Sequence, residues 1–249
     1  MGTVRLFKFE KPAELAQAAA SATSKLVAES RQHPFRMAVS GGRIARLFFE
    51  SLGQEFTAQP ELISSIDLFW ADERAVPPGD AESNYRLAAE ALLARCSFSP
   101  GQVHRIRGDL SPDLAAQQAS TEMLEANGCG AGQIPVLDLV QLGMGEDGHV
   151  ASLFPGEPLD VQESAAIYRS VIARKPPPHR VTLGYAPILA ARNVMVLASG
   201  AGKEMALEVS LNSEETPLGR VIKHRAATWI FTDIFSREKT LNGLKTGSI

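Results

Sequence analysis

The sequence is poor in the residues that staple a chain, enter a membrane or attract nucleic acid. Only two cysteines, Cys96 and Cys129, occur in 249 residues, far apart and outside any Cys-x-x-Cys pattern. A chain of this length buries a core without needing disulfides, and such sparse thiols suit a reducing compartment. Positive charge is not in excess: 25 lysines and arginines stand against 28 acids, a formal net charge of −3. Nucleic-acid binding needs a basic footprint, so this balance argues against it. No apolar run approaches the roughly 20 residues that span a bilayer, which argues against a membrane partner. Residues 1–10 carry charges where a signal peptide has an unbroken apolar core, so a cytoplasmic chain is the expectation. The histidines His33, His104, His149, His179 and His224 show no metal-ligand spacing, and neither a metal nor another cofactor is expected. A Gly-x-Ser-x-Gly elbow for a serine nucleophile is missing, and Gly41-Gly42 lies outside any dinucleotide-binding Gly-x-Gly-x-x-Gly fingerprint.

What the chain does have is alternation. Hydrophobic residues make up 45% and charged residues 21%, the balance of an ordinary globular protein. Strand-like apolar runs fall at residues 4–9, 35–39, 63–70, 136–142, 167–173, 181–184, 194–198 and 228–232. Helical patterns cover 12–30, 44–52, 85–95, 112–127, 202–211 and 235–244, with Pro12 at a favourable first-turn position. A polar loop fills 72–83, and the glycine-rich stretch 128–132 stops a helix. No repeat or long linker divides the chain, so residues 1–249 read as one domain. The order predicts an α/β fold: a mainly parallel central sheet with helices on both faces, a Rossmann-like three-layer sandwich. Ligands of such sheets collect beyond the carboxyl ends of the strands.

Three strand ends have unusual compositions. Ser40-Gly41-Gly42 joins a strand to a helix, where glycines admit a ligand close to the backbone and helix-start amides attract anions. Alone, it is more often just a tight turn. Asp72-Glu73-Arg74, followed by Val76-Pro77 and Ser83-Asn84, sets three charges after an apolar strand. By itself that reads as a solvated loop with an ion pair of little consequence. The third strand end, Gly143-Met144-Gly145-Glu146-Asp147-Gly148-His149, surrounds one imidazole with glycines. An imidazole titrating near 6.5 is the natural base for taking a proton from water, and Asp147 could orient the ring or shape the loop. Arg180, before a strand, and Lys203, at a strand-to-helix junction, are cations suited to a phosphate or to the bare surface.

Together these segments resemble the 6-phosphogluconolactonase family, within a wider group that includes glucosamine-6-phosphate deaminases. The resemblance runs from about residue 35 to 230. It is sharpest in 143–155, and continues in Asp72-Glu73-Arg74, Arg180-Val181-Thr182-Leu183 and Gly200-Ala201-Gly202-Lys203. It implies a lactone-opening esterase whose partner is a small sugar-phosphate lactone; a monomer or weak homo-oligomer is the expectation for the chain. It assigns His149 as general base with Asp147 beside it, and Arg74 at the site with Asp72 in its network. Arg180, Lys203 and the amides of Gly41 and Gly42 are expected around the phosphate. The deaminase subfamily continues its histidine loop with Ala-Phe-Asn-Glu-Pro; this chain has Ala151-Ser152-Leu153-Phe154-Pro155, without the glutamate. Deaminases also commonly carry an aromatic residue where Arg74 stands. A non-catalytic sugar-phosphate-binding module is the rival from another class. One departure is plain: where the family has Ser-Gly-Gly-Ser-Thr-Pro, this chain has Ser40-Gly41-Gly42-Arg43-Ile44-Ala45. Arg43 either reaches the phosphate in place of the small hydroxyl or points away.

Overall fold

A computed structural model describes residues 2–234 and 245–246. Its strands are β1 (Thr3–Lys8), β2 (Phe35–Val39), β3 (Ile66–Trp70), β4 (Asp72–Arg74), β5 (Val103–His104), β6 (Leu139–Gly143), β7 (Tyr168–Ile172), β8 (His179–Leu183), β9 (Asn193–Ala198), β10 (Ala227–Thr232) and β11 (Lys245–Thr246). The helices are α1 (Pro12–Glu29), α2 (Arg43–Ala58), α3 (Asn84–Ala91), α4 (Pro112–Ala126), α5 (Leu159–Gln162), α6 (Tyr185–Ala190), α7 (Glu204–Asn212) and α8 (Pro217–Lys223). The helix expected over 235–244 lies outside the described residues. No described helix is long and apolar enough to cross a membrane.

Eight strands form one sheet in the order β11-β1-β10-β9-β6-β2-β3-β5, every pairing parallel. Strands of such a sheet are covered on both faces and read as unbroken apolar runs. In β2, Met37, Ala38 and Val39 are fully buried, as are Met195 to Ala198 in β9. α2 shows why helices cover them: Ile44, Ala45, Phe48, Phe49, Leu52 and Phe56 recur at helical spacing and are all buried. Each large side chain so buried contributes roughly 1.5–3 kcal/mol.

From β2 the chain runs outward on one side through β3 to β5, then returns to place β6 on the other side of β2. The strand order therefore reverses between β2 and β6. A crevice opens beyond the strand ends at such a point. The loops leaving these two strands are Ser40-Gly41-Gly42 and Met144-Gly145.

Several sequence expectations shift. Residues 63–65 belong to a 3-10 turn, Pro60–Ser65, in which the Ser64 and Ser65 hydroxyls donate to the carbonyls of Glu61 and Leu62. The strand expected from 136 begins at Leu139, and the helix expected to 95 ends at Ala91, followed by a 3-10 turn at Leu93–Arg95. The loop expected over 72–83 opens with a strand. β4, β8 and β7 form a separate antiparallel sheet, so β7 and β8 do not join the parallel one. Hydrophobic period does not report which sheet a short strand joins. Tyr168 ties the small sheet to the large one by donating its hydroxyl to the Trp70 carbonyl at 2.7 Å.

Candidate active site

A cavity of about 380 Å³ lies at the reversal between β2 and β6. Eight of the residues singled out in the sequence line it: Gly41, Gly42, Arg43, Asp72, Arg74, His149, Arg180 and Lys203. Asp147 stands behind the imidazole rather than on the wall.

The histidine loop is built to present one ring. The Gly145 amide donates to the His149 carbonyl at 2.9 Å, and the Gly148 amide to the Gly145 carbonyl at 3.1 Å, closing the turn. A Cβ at Gly145 would lie 2.1 Å from the imidazole, so only glycine leaves the ring its seat. Phe154 packs against the same ring with centroids 5.0 Å apart. Asp147 Oδ1 is 2.5 Å from His149 Nδ1 and also accepts from the His149 backbone amide. The bond from His149 holds the Asp147 carboxyl down at about 2. An ionised carboxylate only accepts, so Nδ1 carries a proton, and in the neutral ring the lone pair is on Nε2. The arrangement presents an oriented imidazole on the cavity wall.

Cations surround the rest of the cavity. Arg74 and Arg180 sit directly opposite each other across β4 and β8. Like charges in that position repel, an arrangement suited to an anion between them. Arg180 is buried, braced by bonds from Nε to the Pro177 carbonyl and from Nη2 to that of Lys175, and lies over the Phe154 ring. Burial, then Arg74, lowers its pKa. Lys203 donates Nζ to the Met144 carbonyl at 2.6 Å, which holds the ammonium against the histidine loop. Its pKa is lowered by burial and then by the nearby charge of Arg43. Arg43 is the first residue of α2, and its side chain makes no hydrogen bond or ion pair among the described residues.

Asp72 and Arg74 part company here. The Asp72 carboxylate accepts from Ser152 Oγ at 2.8 Å, tying the histidine loop to the small sheet. The Arg74 guanidinium turns instead to the carbonyl and carboxylate of Glu82. Sequence reasoning quoted Glu73 and Asn84 but gave neither a role. Glu73 is almost fully buried and accepts from the amides of Arg74, Asn84 and Tyr85 and from Ser83 Oγ. Burial pushes its pKa up while those amides pull it back. This carboxylate orders the ends of a loop whose charges read as solvated. Asn84 donates to the Asp72 carbonyl at 2.8 Å, and a Cβ on Gly41 would strike its amide oxygen. The one sequence signal was the Ser83 cap of α3, whose hydroxyl accepts from the Arg86 amide; nothing in the sequence marked Glu73 as buried.

Fold and cavity together define a class: an α/β protein with a cation-lined cavity at the switch point of its sheet and a carboxylate-oriented imidazole on the same wall. Residues 10–230 match the family described as glucosamine-6-phosphate isomerases/6-phosphogluconolactonase, and the chain belongs to that family. The human 6-phosphogluconolactonase is 37% identical over 212 residues, covering 84% of this chain and 81% of that protein. A probable chloroplastic 6-phosphogluconolactonase of rice (Oryza sativa subsp. indica) is 34% identical over 213 residues, 81% of this chain. The match spans 63% of the rice protein's own length. Among solved structures, 6-phosphogluconolactonase from Trypanosoma cruzi superposes with a TM-score of 0.83 at 26% identity, covering 98% of each chain.

Proposed function

We propose that the chain hydrolyses 6-phospho-D-glucono-1,5-lactone to 6-phosphogluconate, a step of the oxidative pentose phosphate pathway, acting as one domain. The observation that carries the reading is His149, with Nδ1 tied to an ionised Asp147, sharing a cavity with Arg74, Arg180, Lys203 and Arg43. Family membership and the names of the human and trypanosomal relatives support it.

In this mechanism His149 Nε2 takes a proton from water, and the oxygen adds to the lactone carbonyl. Arg74 or a loop amide offers a donor to the oxyanion. The tetrahedral intermediate collapses with cleavage of the bond to the ring oxygen, which receives the proton from Nε2. Asp147 keeps the ring in its tautomer and stabilises the imidazolium between the two transfers. The phosphate is gripped by Arg180, Lys203, Arg43 and the amides of Gly41 and Gly42, so binding at the unreactive end positions the carbonyl. These side chains supply base, donors and anchor, with no part assigned to a metal or cofactor.

The deaminase reading is disfavoured by Ala151-Ser152-Leu153-Phe154-Pro155, which offers no glutamate after the histidine. A reducing, cytoplasmic compartment suits the two free cysteines. The test follows loss of freshly prepared 6-phosphogluconolactone above its spontaneous rate, with glucosamine 6-phosphate in parallel. Acceleration of the first alone is expected; turnover of the second alone would transfer the chain to the deaminase branch.

A further inference from the structure

A second cavity, about 500 Å³, adjoins the first and shares Gly42, Arg43, Arg74 and Asn84 with it. Its other walls bring Arg46 from α2 and Arg86 from α3, so four arginines face two glutamates, Glu82 and Glu90. The chain as a whole is acidic, which makes this local excess of positive charge a built feature rather than a reflection of composition.

The acids here orient the cations without using them up. Glu90 accepts from Arg86 Nε at 2.7 Å through one oxygen and from Arg46 Nη2 at 3.2 Å through the other. Arg86 Nη1 is further fixed by the Gly79 carbonyl at 3.0 Å. Arg74 binds Glu82 through Nη1, while its buried Nε has no partner among the described residues. A guanidinium carries five N–H donors, so Arg43 and Arg46 retain most of theirs. The first amides of α3 are already taken by Glu73 and Ser83, which leaves the attraction to the guanidinium groups. Planar forks with spare donors around an open cavity match a phosphate.

We infer that this cavity is a second phosphate subsite, and that a bis-phosphorylated small molecule spans both cavities across the wall formed by Gly42 and Arg43. Its first phosphate takes the anchor assigned under the proposed function, and on that point the inference rests on that reading. Such a ligand competes with the lactone without being turned over.

Isothermal titration of the full chain with fructose 1,6-bisphosphate and with fructose 6-phosphate tests this. The bisphosphate is expected to bind about tenfold more tightly, since its second group docks at high effective concentration. In the double variant Arg46→Ala/Arg86→Ala, that advantage disappears while the monophosphate binds as before and the lactone is turned over at the parental rate. Both side chains are nearly half exposed, so the fold tolerates their loss, and circular dichroism melting checks it. Replacing both by lysine keeps the charge, loses the planar fork and leaves an intermediate advantage. Equal affinities for the two ligands in the parent would overturn the inference, as would a double variant that weakens both alike. Absence of any binding would overturn it too. The lactone assay then tells separately whether the proposed function fails with it.

Discussion

At the scale of single residues, the site rests on how two neighbours treat one imidazole. Asp147 is held at about 2, against an ordinary 3.8, chiefly by the hydrogen bond from His149. A lowered acid pKa stabilises the fold at every pH above the ordinary value, and that contribution is lost as pH falls through about 2. His149→Ala is therefore expected to let the Asp147 carboxyl titrate upward, toward or past 3.8, in a carbon-detected NMR titration. A carboxyl still titrating near 2 would mean that His149 does not hold it. Gly145 acts by lacking a side chain. Gly145→Ala sets a methyl against the ring, a movable neighbour rather than backbone. The expectation is a turnover loss of at least about tenfold, as the base leaves its hydrogen-bonding position, with melting temperature nearly unchanged. A large drop in melting temperature would instead mark Gly145 as a folding residue. The histidine and its glycines were legible in the sequence because glycine density after a buried strand is unusual. The Ser152 bond to Asp72 was not, because it joins residues 80 positions apart.

Elements explain what the sequence revealed and what it withheld. Long segments with a clear period, such as α1, α4 and β9, fall where apolar spacing puts them, within about a residue at their ends, while α2 runs on to Ala58, beyond the end expected at 52. The small antiparallel sheet was hidden: β4 is only three residues of charged side chains, and its pairing with β8 is set by tertiary contacts. Helix α8 carried a readable start in Thr216 and Pro217, the threonine hydroxyl accepting from the Gly219 amide, but lies between short irregular segments. Glu73 decides whether the loop after β4 is ordered. Glu73→Ala strips partners from three amides and a hydroxyl, and buried donors left unpaired cost about 1–3 kcal/mol each before relaxation or water makes up part of it. A net loss of about 2–4 kcal/mol in chemical unfolding is expected. A loss under about 0.5 kcal/mol would show that water replaces the carboxylate freely.

Across the whole molecule, an acidic chain concentrates arginine and lysine at one mouth of its sheet. The parallel character of the sheet, its longer helices and the family were readable from strand–loop–helix order and four short motifs, whereas β5, α5, α6 and α8 were not read from the sequence. Two features were not: the cross-strand opposition of Arg74 and Arg180, and the second basic cavity. Both depend on which elements become neighbours. Lys203 belongs to the phosphate anchor in the proposed binding mode. Lys203→Ala is thus expected to raise KM for the phosphorylated lactone by about tenfold or more, a lost charge-assisted bond, and to leave hydrolysis of unphosphorylated gluconolactone unchanged. Equal losses on both substrates would remove Lys203 from the phosphate anchor.

The most direct measurement compares the parent with His149→Ala on freshly made 6-phosphogluconolactone, after subtraction of the spontaneous rate, with binding of 6-phosphogluconate titrated in parallel. Loss of a positioned base predicts turnover lowered by roughly 10²–10⁴-fold with product affinity within a factor of about three. Turnover within a factor of about three of the parent would contradict the assignment of the base, and with it the chemistry proposed for the cavity.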